Sequence, residues 1–449
     1  MKKSILLYVL LGIILMSCTE NSFENNEFDA RIEAENRDFS VSIEESENYL
    51  HEYLQKFNET MSRCEESAYL KKTIVERFTF TLPLQLTTRT ERFGCLKNIS
   101  PKFHIFNFKD NGGFAIMSGD NRVTPLLALA ESGKFDPSKP IKENGLKIYV
   151  SNLVPYYLKE ILDFHKTKTR VSLKPEYPLV GELNPIEMPL GPCKVKWSDD
   201  EPFNKYCPVT RIPWGGVSKV GCVAVALAQM LSIYEYPHNF NYKGKILDLN
   251  WDTLKRITTT IPNYGNNYIE FDVLAKFLLT LGDPCNLNMN YRTDMSFSEI
   301  YYIPRTLRNL GFYNCGSLYP YDKEQIVQTL KDGRYIIMAG YPEEGNHQGG
   351  HAWLVHGLIE NVQVLQPIDP DTHSEIGGAQ SQTKWYLRCN WGDAGVGDGY
   401  YLCGVFNIVN DPVINEIYNT VNVNYTGVFT EQYNYDIEYI SGFRPHLNN

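Results

Sequence analysis

The spacing of apolar side chains changes several times in the first 170 residues, and each change predicts a new element. Over residues 43–62 apolar side chains recur every three to four positions, the period of an amphipathic helix. Residues 103–108 and 114–117 are short apolar runs on either side of a glycine-containing turn, a pattern typical of a β-hairpin. The helical period returns over 144–165. Together these segments predict an α+β unit that ends near residue 170.

Prolines cluster over residues 171–193, between this unit and the rest of the chain, and Lys168, Arg170 and Lys174 accompany them. Proline at this density interrupts helices and strands, and exposed basic segments of this kind are plausible targets for proteolysis. We therefore predict that 171–193 is a linker and processing region. A second domain is predicted over 194–449, with short surface strands after residue 405.

The pattern changes again at residue 222, where a glycine-containing loop leads into an apolar, alanine-rich run. Because the run over 222–231 is almost entirely apolar, it predicts a buried helix with Cys222 at its N-terminus. Peptide dipoles and unpaired N–H groups at that end favour a thiolate and supply donors for an anion. A nucleophilic cysteine requires this setting, although a core cysteine that happens to begin a helix has the same local pattern.

Two later segments supply the partners that such a nucleophile needs. His351 follows two glycines and begins an apolar, strand-like run, 129 residues after Cys222, close to the spacing of roughly 130–150 residues in one class of cysteine peptidases. Asn390 has a side-chain carbonyl that can accept the imidazole N–H, and Trp391 can shield that hydrogen bond from water. The order Cys, His, Asn predicts a nucleophile, a base and an orienting residue. Of two further histidines, we expect His356 to be structural. His347 is a candidate for gating a cleft.

The N-terminus predicts export and a lipid anchor. Two lysines precede an apolar run over 5–16 that is too short to span a bilayer and is typical of a secretory signal. Since the run ends in Leu-Met-Ser-Cys, residues 1–18 resemble a lipoprotein signal in which Cys18 is lipidated; an ordinary signal peptide with a chance cysteine is the alternative. We expect residues 19–38, which are rich in Asn and Glu, to form a flexible tether. The expected location is the bacterial cell envelope, at the outer membrane or cell surface, or outside the cell after processing.

Composition excludes several other classes of protein. The chain has 449 residues, of which 43% are hydrophobic and 13% aromatic, which is enough for two packed domains. Its net charge of −10 argues against a nucleic-acid-binding protein. The ten cysteines include no CxxC pair and no repeated spacing. Metal-ligand spacings and a phosphate-binding glycine fingerprint are also absent from the sequence, so we predict no metal and no cofactor.

The chemistry-bearing segments together resemble the streptopain-like cysteine peptidases, a bacterial branch of the papain-like superfamily. The segments that match are 113–120, 125–128, 221–224, 228–230, 236–237, 350–353, 390–392 and 398–400. The resemblance implies a papain-like domain of class α+β, preceded over 39–170 by a smaller α+β prodomain that inhibits the enzyme until it is removed. It also implies that Cys222 is the nucleophile, that His351 is the general base and acid, and that Asn390 and Trp391 orient the histidine.

The chain departs from the family pattern at the position that would complete the oxyanion hole. The family usually has a glutamine three residues before a Pro-aromatic-Asn sequence, and here that position is Asp199. An ionised carboxylate opposes a developing oxyanion, and loss of one donor costs on the order of 10²–10³ in rate. Asp393 brings a second acid into the stretch that follows Asn-Trp-Gly. The residues expected to line the cleft are Gly221, Gly350, Trp353 and Asp393.

The favoured function is that of an endopeptidase, secreted or lipid-anchored and made as a zymogen, which cleaves peptide bonds through a thioester. Asp199 motivates an alternative, a catalytically impaired surface lipoprotein that binds proteins or peptides without cleaving them. A Cys-His acyltransferase or amidase is the third hypothesis. The expected partners are protein or peptide substrates, the chain's own prodomain as inhibitor and, through Cys18, a membrane; nucleic acid is not expected.

Overall fold

The computed structural model describes residues 39–61, 72–82, 84–86, 96, 99–139, 141, 144–166, 180–211, 213, 215–258, 268–342, 350–365, 378, 380–406, 421–423 and 435–445. The predicted signal peptide with Cys18, the predicted tether over 19–38 and His347 lie outside these residues. Among the helices formed by the described residues, none combines the length and the apolar character needed to cross a lipid bilayer.

The described residues form helices and strands throughout both halves of the chain. The α-helices are α1 (Ile43–Met61), α2 (Asn144–Ser151), α3 (Leu153–Lys166), α4 (Cys222–Tyr234), α5 (Trp251–Leu254), α6 (Tyr268–Leu281), α7 (Ile303–Asn309) and α8 (Lys323–Lys331). The strands of the first half and the segment after it are β1 (Ile74–Thr81), β2 (Leu84–Leu86), β3 (Lys102–Phe108), β4 (Phe114–Ser118), β5 (Leu126–Ala130) and β6 (Glu182–Ile186). Those of the second half are β7 (Val209–Thr210), β8 (Gly216–Val217), β9 (Asn239–Tyr242), β10 (Lys245–Asp248), β11 (Phe312–Pro320), β12 (Ile336–Pro342), β13 (His351–Leu365), β14 (Gln380–Asn390), β15 (Gly399–Leu402), β16 (Val421–Val423) and β17 (Tyr435–Pro445).

One antiparallel sheet runs through both halves of the chain. Its strand order is β1-β3-β4-β5-β15-β14-β13-β12-β17-β11, with β6 paired beside β13. The two halves meet where β5 pairs with β15, with Ala128 opposite Tyr401 and Ala130 opposite Gly399. A Cβ atom on Gly399 would lie 2.4 Å from the Leu129 carbonyl oxygen, so only glycine permits this close approach. The first half is therefore hydrogen bonded, strand to strand, to the second.

Helices cover the sheet and bury its apolar side chains. In the first half α1 packs on the sheet through Leu50, Tyr53 and Phe57, all of them buried. Strands β3, β4 and β5 have buried side chains on both faces, which explains their nearly continuous apolar sequence. In the second half α4 packs against β13 and is buried along most of its length. These residues belong to one continuous hydrophobic core, which both halves share.

The predicted linker is partly a strand. Residues 182–186 form β6, whose Leu183 pairs with Asn361 and whose Pro185 pairs with Ile359 of β13. Proline is tolerated there because β6 pairs with β13 alone among the described strands, so the missing N–H of Pro185 interrupts no second ladder between them. The rest of the stretch up to residue 179 lies outside the described residues.

The other predicted elements are confirmed in type and differ in detail. The first helix and the hairpin occur where expected, as α1 and the pair β3 and β4. The helix predicted over 144–165 is two helices, because Pro155 has no N–H for the Ser151 carbonyl and the chain breaks at Asn152. The prediction of surface strands after residue 405 is wrong for β17, which lies inside the sheet between β11 and β12 with Ile437 and Tyr439 buried.

Candidate active site

Cys222 begins the buried helix of the second half, α4, as the sequence predicts. Its predecessor Gly221 has a backbone φ of +94°, and a Cβ atom there would lie 2.6 Å from the Met289 sulfur. Both observations require glycine immediately before the cysteine. The thiol is only partly buried, and the first N–H groups of a helix have no partners within it; in α4 the Ala224 N–H donates to the carbonyl of Gly221, at 3.1 Å. The N-terminus of α4 therefore presents a thiol next to donors that favour negative charge.

His351 is the first residue of β13 and contacts Cys222. It pairs with Gly340 of β12, and a Cβ atom on Gly350 would lie 2.7 Å from the Gly340 carbonyl oxygen. The glycine before the histidine therefore lets the two strands meet at this point. The imidazole is 6% exposed and hydrogen bonded to Cys222. Its Nε2 atom lies 2.7 Å from the backbone carbonyl oxygen of Trp391, which leaves Nδ1 for the thiol.

These contacts set the pKa of His351. Burial of the imidazole acts to lower it. The hydrogen bond to Cys222, the charge of the thiolate, the Trp391 carbonyl and the charge of Asp199 outweigh burial and raise the pKa above its ordinary value. The site therefore favours the protonated form of the His351 imidazole beside the Cys222 sulfur.

Asn390 lies behind the pair and is hydrogen bonded to other groups. Its side-chain oxygen accepts from Gln229 Nε2 at 2.8 Å and from the Gly392 N–H at 3.1 Å, and its amide nitrogen donates to the Val195 carbonyl at 3.0 Å. The acceptor at His351 is thus the carbonyl of the next residue and not the Asn390 side chain. Asn390 fixes the backbone that presents this carbonyl, so its action on the imidazole is indirect.

Trp391 and Trp353 form an aromatic layer beside the histidine. Their ring centroids are 5.1 Å apart, and Trp353 stacks nearly parallel to the His351 ring. The Trp391 indole N–H donates to the Gly397 carbonyl at 3.1 Å, and its backbone N–H donates to Asp398 Oδ1 at 2.8 Å. Burial raises the pKa of Asp398 to about 8. Trp353 is fully buried in the precursor and packs beside the histidine.

The two acidic residues that depart from the family pattern lie in adjacent segments. Ser198 and Asp393 form an antiparallel bridge, and the Ala394 N–H donates to the Trp197 carbonyl at 3.3 Å. The Val220 N–H, two residues before the nucleophile, donates to the Asp199 backbone carbonyl at 2.8 Å. Asp199 therefore lies beside the start of α4, and Lys219 Nζ is 3.4 Å from its carboxylate.

The first half of the chain covers this site. Gly145, near the start of α2, packs directly on it: a Cβ atom there would lie 2.2 Å from Trp391 Cε3 and 2.9 Å from His351 Cδ2. Arg388 binds Glu131 through two hydrogen bonds, of 3.0 and 3.2 Å, and Lys384 binds Glu160. The first half is therefore held against the second by a sheet junction, by ion pairs and by the close packing of Gly145 on the histidine.

Sequence reasoning missed four contributors to the site: the Trp391 carbonyl, Gln229, Lys219 and Gly145. Gln229 lies seven residues after Cys222, on the same face of the helix, and it is the one polar amide in the apolar run over 222–231, which is a signal that the sequence carries. A backbone carbonyl cannot be recognised in a sequence.

Among the described residues there is no group of three or more side chains of the kinds that hold a metal ion.

Comparison with known proteins gives matches over both halves. Residues 197–401 match the model of the peptidase C10 family, and residues 40–154 match that of the Spi protease inhibitor. Streptopain of Streptococcus pyogenes serotype M1 is 22% identical over 342 residues, which are 68% of this chain and 74% of streptopain. The thiol protease/hemagglutinin PrtT of Porphyromonas gingivalis is 23% identical over 351 residues, 70% of this chain and 37% of PrtT.

Two solved structures from Prevotella intermedia are also similar. The match to a fragment of prointerpain A covers 80% of this chain and 98% of the fragment, at 20% identity and with a TM-score of 0.46. The match to active interpain A covers 55% of this chain and 92% of the interpain A chain, at 19% identity and with a TM-score of 0.34.

The fold and the matched families define a cysteine peptidase made as a zymogen, with its inhibitor in the same chain. The second half of the chain matches the peptidase C10 family, the streptopain-like peptidases, over residues 197–401, and its helices and antiparallel strands form an α+β fold.

Proposed function

We propose that the chain is the precursor of an endopeptidase in which Cys222 is the nucleophile and His351 the general base and acid. One observation supports this most strongly: a thiol at the N-terminus of a buried helix is hydrogen bonded to an imidazole whose other nitrogen is held by a backbone carbonyl. The carbonyl fixes the tautomer, so that the proton to be transferred is on Nδ1.

In the proposed reaction the Cys222 thiolate attacks the carbonyl carbon of the scissile peptide bond. The carbonyl oxygen becomes an oxyanion, which the backbone N–H of Cys222 and the N-terminal end of α4 stabilise. His351 gives its Nδ1 proton to the amine as the C–N bond breaks, which leaves a thioester on Cys222. His351 then takes a proton from water, the hydroxide attacks the thioester, and the thiolate leaves.

Asn390 and Trp391 are positioning residues in this proposal. Asn390, held by Gln229, fixes the turn that carries the Trp391 carbonyl, and the Trp391 ring covers the hydrogen bond between that carbonyl and His351. Gly221 lets the segment before the nucleophile pack on Met289, and Gly350 lets the segment before the base pack on Gly340. Asp393 lies beside the site through its bridge with Ser198, the residue before Asp199.

The proposed domain boundaries are 39–170 for the inhibiting prodomain, 171–193 for the connection and 194–449 for the peptidase. Because β6 is hydrogen bonded to β13, a protease would have to strip a strand from the sheet to cut within 182–186. We therefore place the first processing cut in 167–179, which contains Lys168, Arg170 and Lys174.

We also propose that the precursor is exported and lipidated on Cys18, which supports an envelope or surface location. The motif at 15–18 and the absence of another apolar segment of that kind in the sequence support this. In cells, Cys18→Ser should move the protein from the membrane fraction to the soluble fraction and abolish labelling by an alkyne fatty acid. Equal membrane association of both proteins would refute the anchor.

The peptidase proposal is tested with the processed protein and an unstructured protein substrate. Cys222→Ala and His351→Ala should each remove cleavage, and a thiol-directed epoxide should label the wild type at Cys222. Transfer to an added free amine in place of hydrolysis would favour the acyltransferase hypothesis. Binding of the substrate without cleavage by the processed wild type would favour the binding module.

A further inference from the structure

A buried carboxylate lies next to the place where the proposed reaction develops negative charge. The Asp199 side chain is 18% exposed, and its own backbone carbonyl accepts from the Val220 N–H at the entrance to α4. Its charge also acts on the His351 imidazole. The carboxylate is thus within the electrostatic field of His351, beside the start of the helix that carries Cys222.

Lys219 is the cation placed against this carboxylate. Its Nζ atom lies 3.4 Å from Asp199 Oδ1 and 2.9 Å from Asp200 Oδ2. Asp200 is 62% exposed, so water screens that contact, while Asp199 and Lys219 are largely shielded, at 18% and 25% exposure. The backbone of Lys219 is held as well, because its N–H donates to the Arg292 carbonyl at 3.0 Å. The side chain therefore projects from a fixed segment three residues before the nucleophile.

The groups around Asp199 oppose one another. Burial raises its pKa, Lys219 acts against burial, Asp200 raises the pKa and His351 lowers it. The buried Cys207 thiol also lies within the field of Asp199, and the Arg292 guanidinium is already paired with Asp294. Lys219 is thus the cation nearest to the carboxylate among the groups named here, apart from the reacting histidine itself.

We propose that Lys219 is a positioning residue of the peptidase site, whose ammonium neutralises the Asp199 carboxylate so that the oxyanion formed at Cys222 does not face a bare negative charge. This inference rests on the proposed function. As the thiolate attacks, its charge moves to the carbonyl oxygen, while Asp199 stays fixed nearby. Without Lys219 the site would hold one more uncompensated negative charge at that moment.

The test uses the processed enzyme with Lys219→Met, Asp199→Asn and the double variant. Lys276→Met is the matched control, because Lys276 is 24% exposed and pairs with Asp272 at 3.6 Å. Lys219→Met should lower kcat by roughly 10–100-fold at pH 7.5 with little change in KM, and the control should not. The deficit should shrink as the pH falls, because loss of Lys219 raises the pKa of Asp199 further and protonation removes the charge. The double variant should recover at least the activity of Asp199→Asn.

A Lys219→Met deficit that is independent of pH, or that persists unchanged in the double variant, would overturn the inference, as would an equal loss in Lys276→Met. A folding defect would slow Cys222 alkylation and lower Tm in every Lys219 variant, so both are measured. If the wild type cleaves nothing, the proposed function fails. The pairing of Lys219 with Asp199 can then still be tested, by following the titration of the Asp199 carboxyl carbon by NMR. Its titration should move upward in Lys219→Met, and an unchanged titration would refute the pairing.

Discussion

At the scale of single residues, the candidate site depends on which atom holds the imidazole. His351 Nε2 is bound to a backbone carbonyl, which substitution of Trp391 does not remove, and Asn390 acts one step away from it. The pKa of His351 then depends on its other partner, Cys222. The two predictions at this scale separate these influences.

Cys222→Ala should lower the pKa of His351. The variant loses the hydrogen bond and the thiolate charge that raise the pKa, while burial, which lowers it, remains. The imidazole should therefore lose its proton at a lower pH than in the wild type, as measured by NMR of the His351 ring. His356 serves as the control, because it is buried with a pKa well below the ordinary value and accepts from the Cys193 N–H. An unchanged His351 titration would contradict the contact with Cys222.

Asn390→Ala should reduce cleavage without abolishing it. The variant leaves Gln229 and the Val195 carbonyl without their partner, which costs about 1–3 kcal/mol of stability. The Trp391 carbonyl remains, so kcat should fall roughly 10-fold, on the scale of that energy. Calorimetry and steady-state kinetics measure the two effects. A loss of activity as large as that of His351→Ala would show that the Asn390 side chain itself acts on the imidazole.

At the scale of elements, helix α2 places its second residue against the site. Glycine is the only residue type that fits at position 145, because any side chain there would overlap the Trp391 ring. The same short helix is anchored behind this contact by Leu146 and Ile148, which are buried in the shared core. The start of α2 therefore acts as a fitted cover over His351.

Gly145→Ala should loosen this cover. Overpacking a tight contact costs about 1–3 kcal/mol, which should raise the rate of Cys222 labelling in the uncut precursor. Gly215→Ala is the control, because nothing lies within 4 Å of a Cβ atom at that position. Intact-protein mass spectrometry over a time course measures labelling. Equal rates for the two variants would show that the start of α2 does not restrict access to the thiol.

At the scale of the whole molecule, inhibitor and peptidase share one sheet and one core. The junction between β5 and β15 and the pairs of Arg388 with Glu131 and Lys384 with Glu160 all cross between the halves. Backbone cleavage alone removes none of these contacts. Activation therefore requires separation of the halves after the cut.

A precursor cut within 167–179 should accordingly elute as one particle at low salt. Glu131→Gln should weaken this association by about 1–3 kcal/mol, because the Arg388 guanidinium loses a charged partner. Glu76→Gln is the matched control, since Glu76 pairs with Lys134 within the inhibitor half. Size-exclusion chromatography at increasing salt measures dissociation. Separation of the wild-type halves immediately after the cut would contradict the shared sheet.

Much of the fold and part of the site could be predicted from local patterns. The helix at Cys222 and the strand at His351 are continuous apolar runs that follow glycines, and these local signals do not depend on distant residues. The strand at 182–186 could not be predicted, because its prolines argue against a strand. It forms through pairing with β13, which is distant in the sequence. The burial of β17 likewise follows from pairing with β11 and β12, which are distant in the sequence.

The most direct measurement is the rate at which a thiol-directed epoxide labels Cys222 in three states of one preparation: the uncut precursor, the cut but associated particle, and the separated peptidase. We expect slow labelling in the first two states and a rise of roughly 10-fold or more on separation, since each 1.4 kcal/mol of occlusion is a factor of 10. Equal rates in the uncut precursor and the separated peptidase would show that the first half does not occlude Cys222.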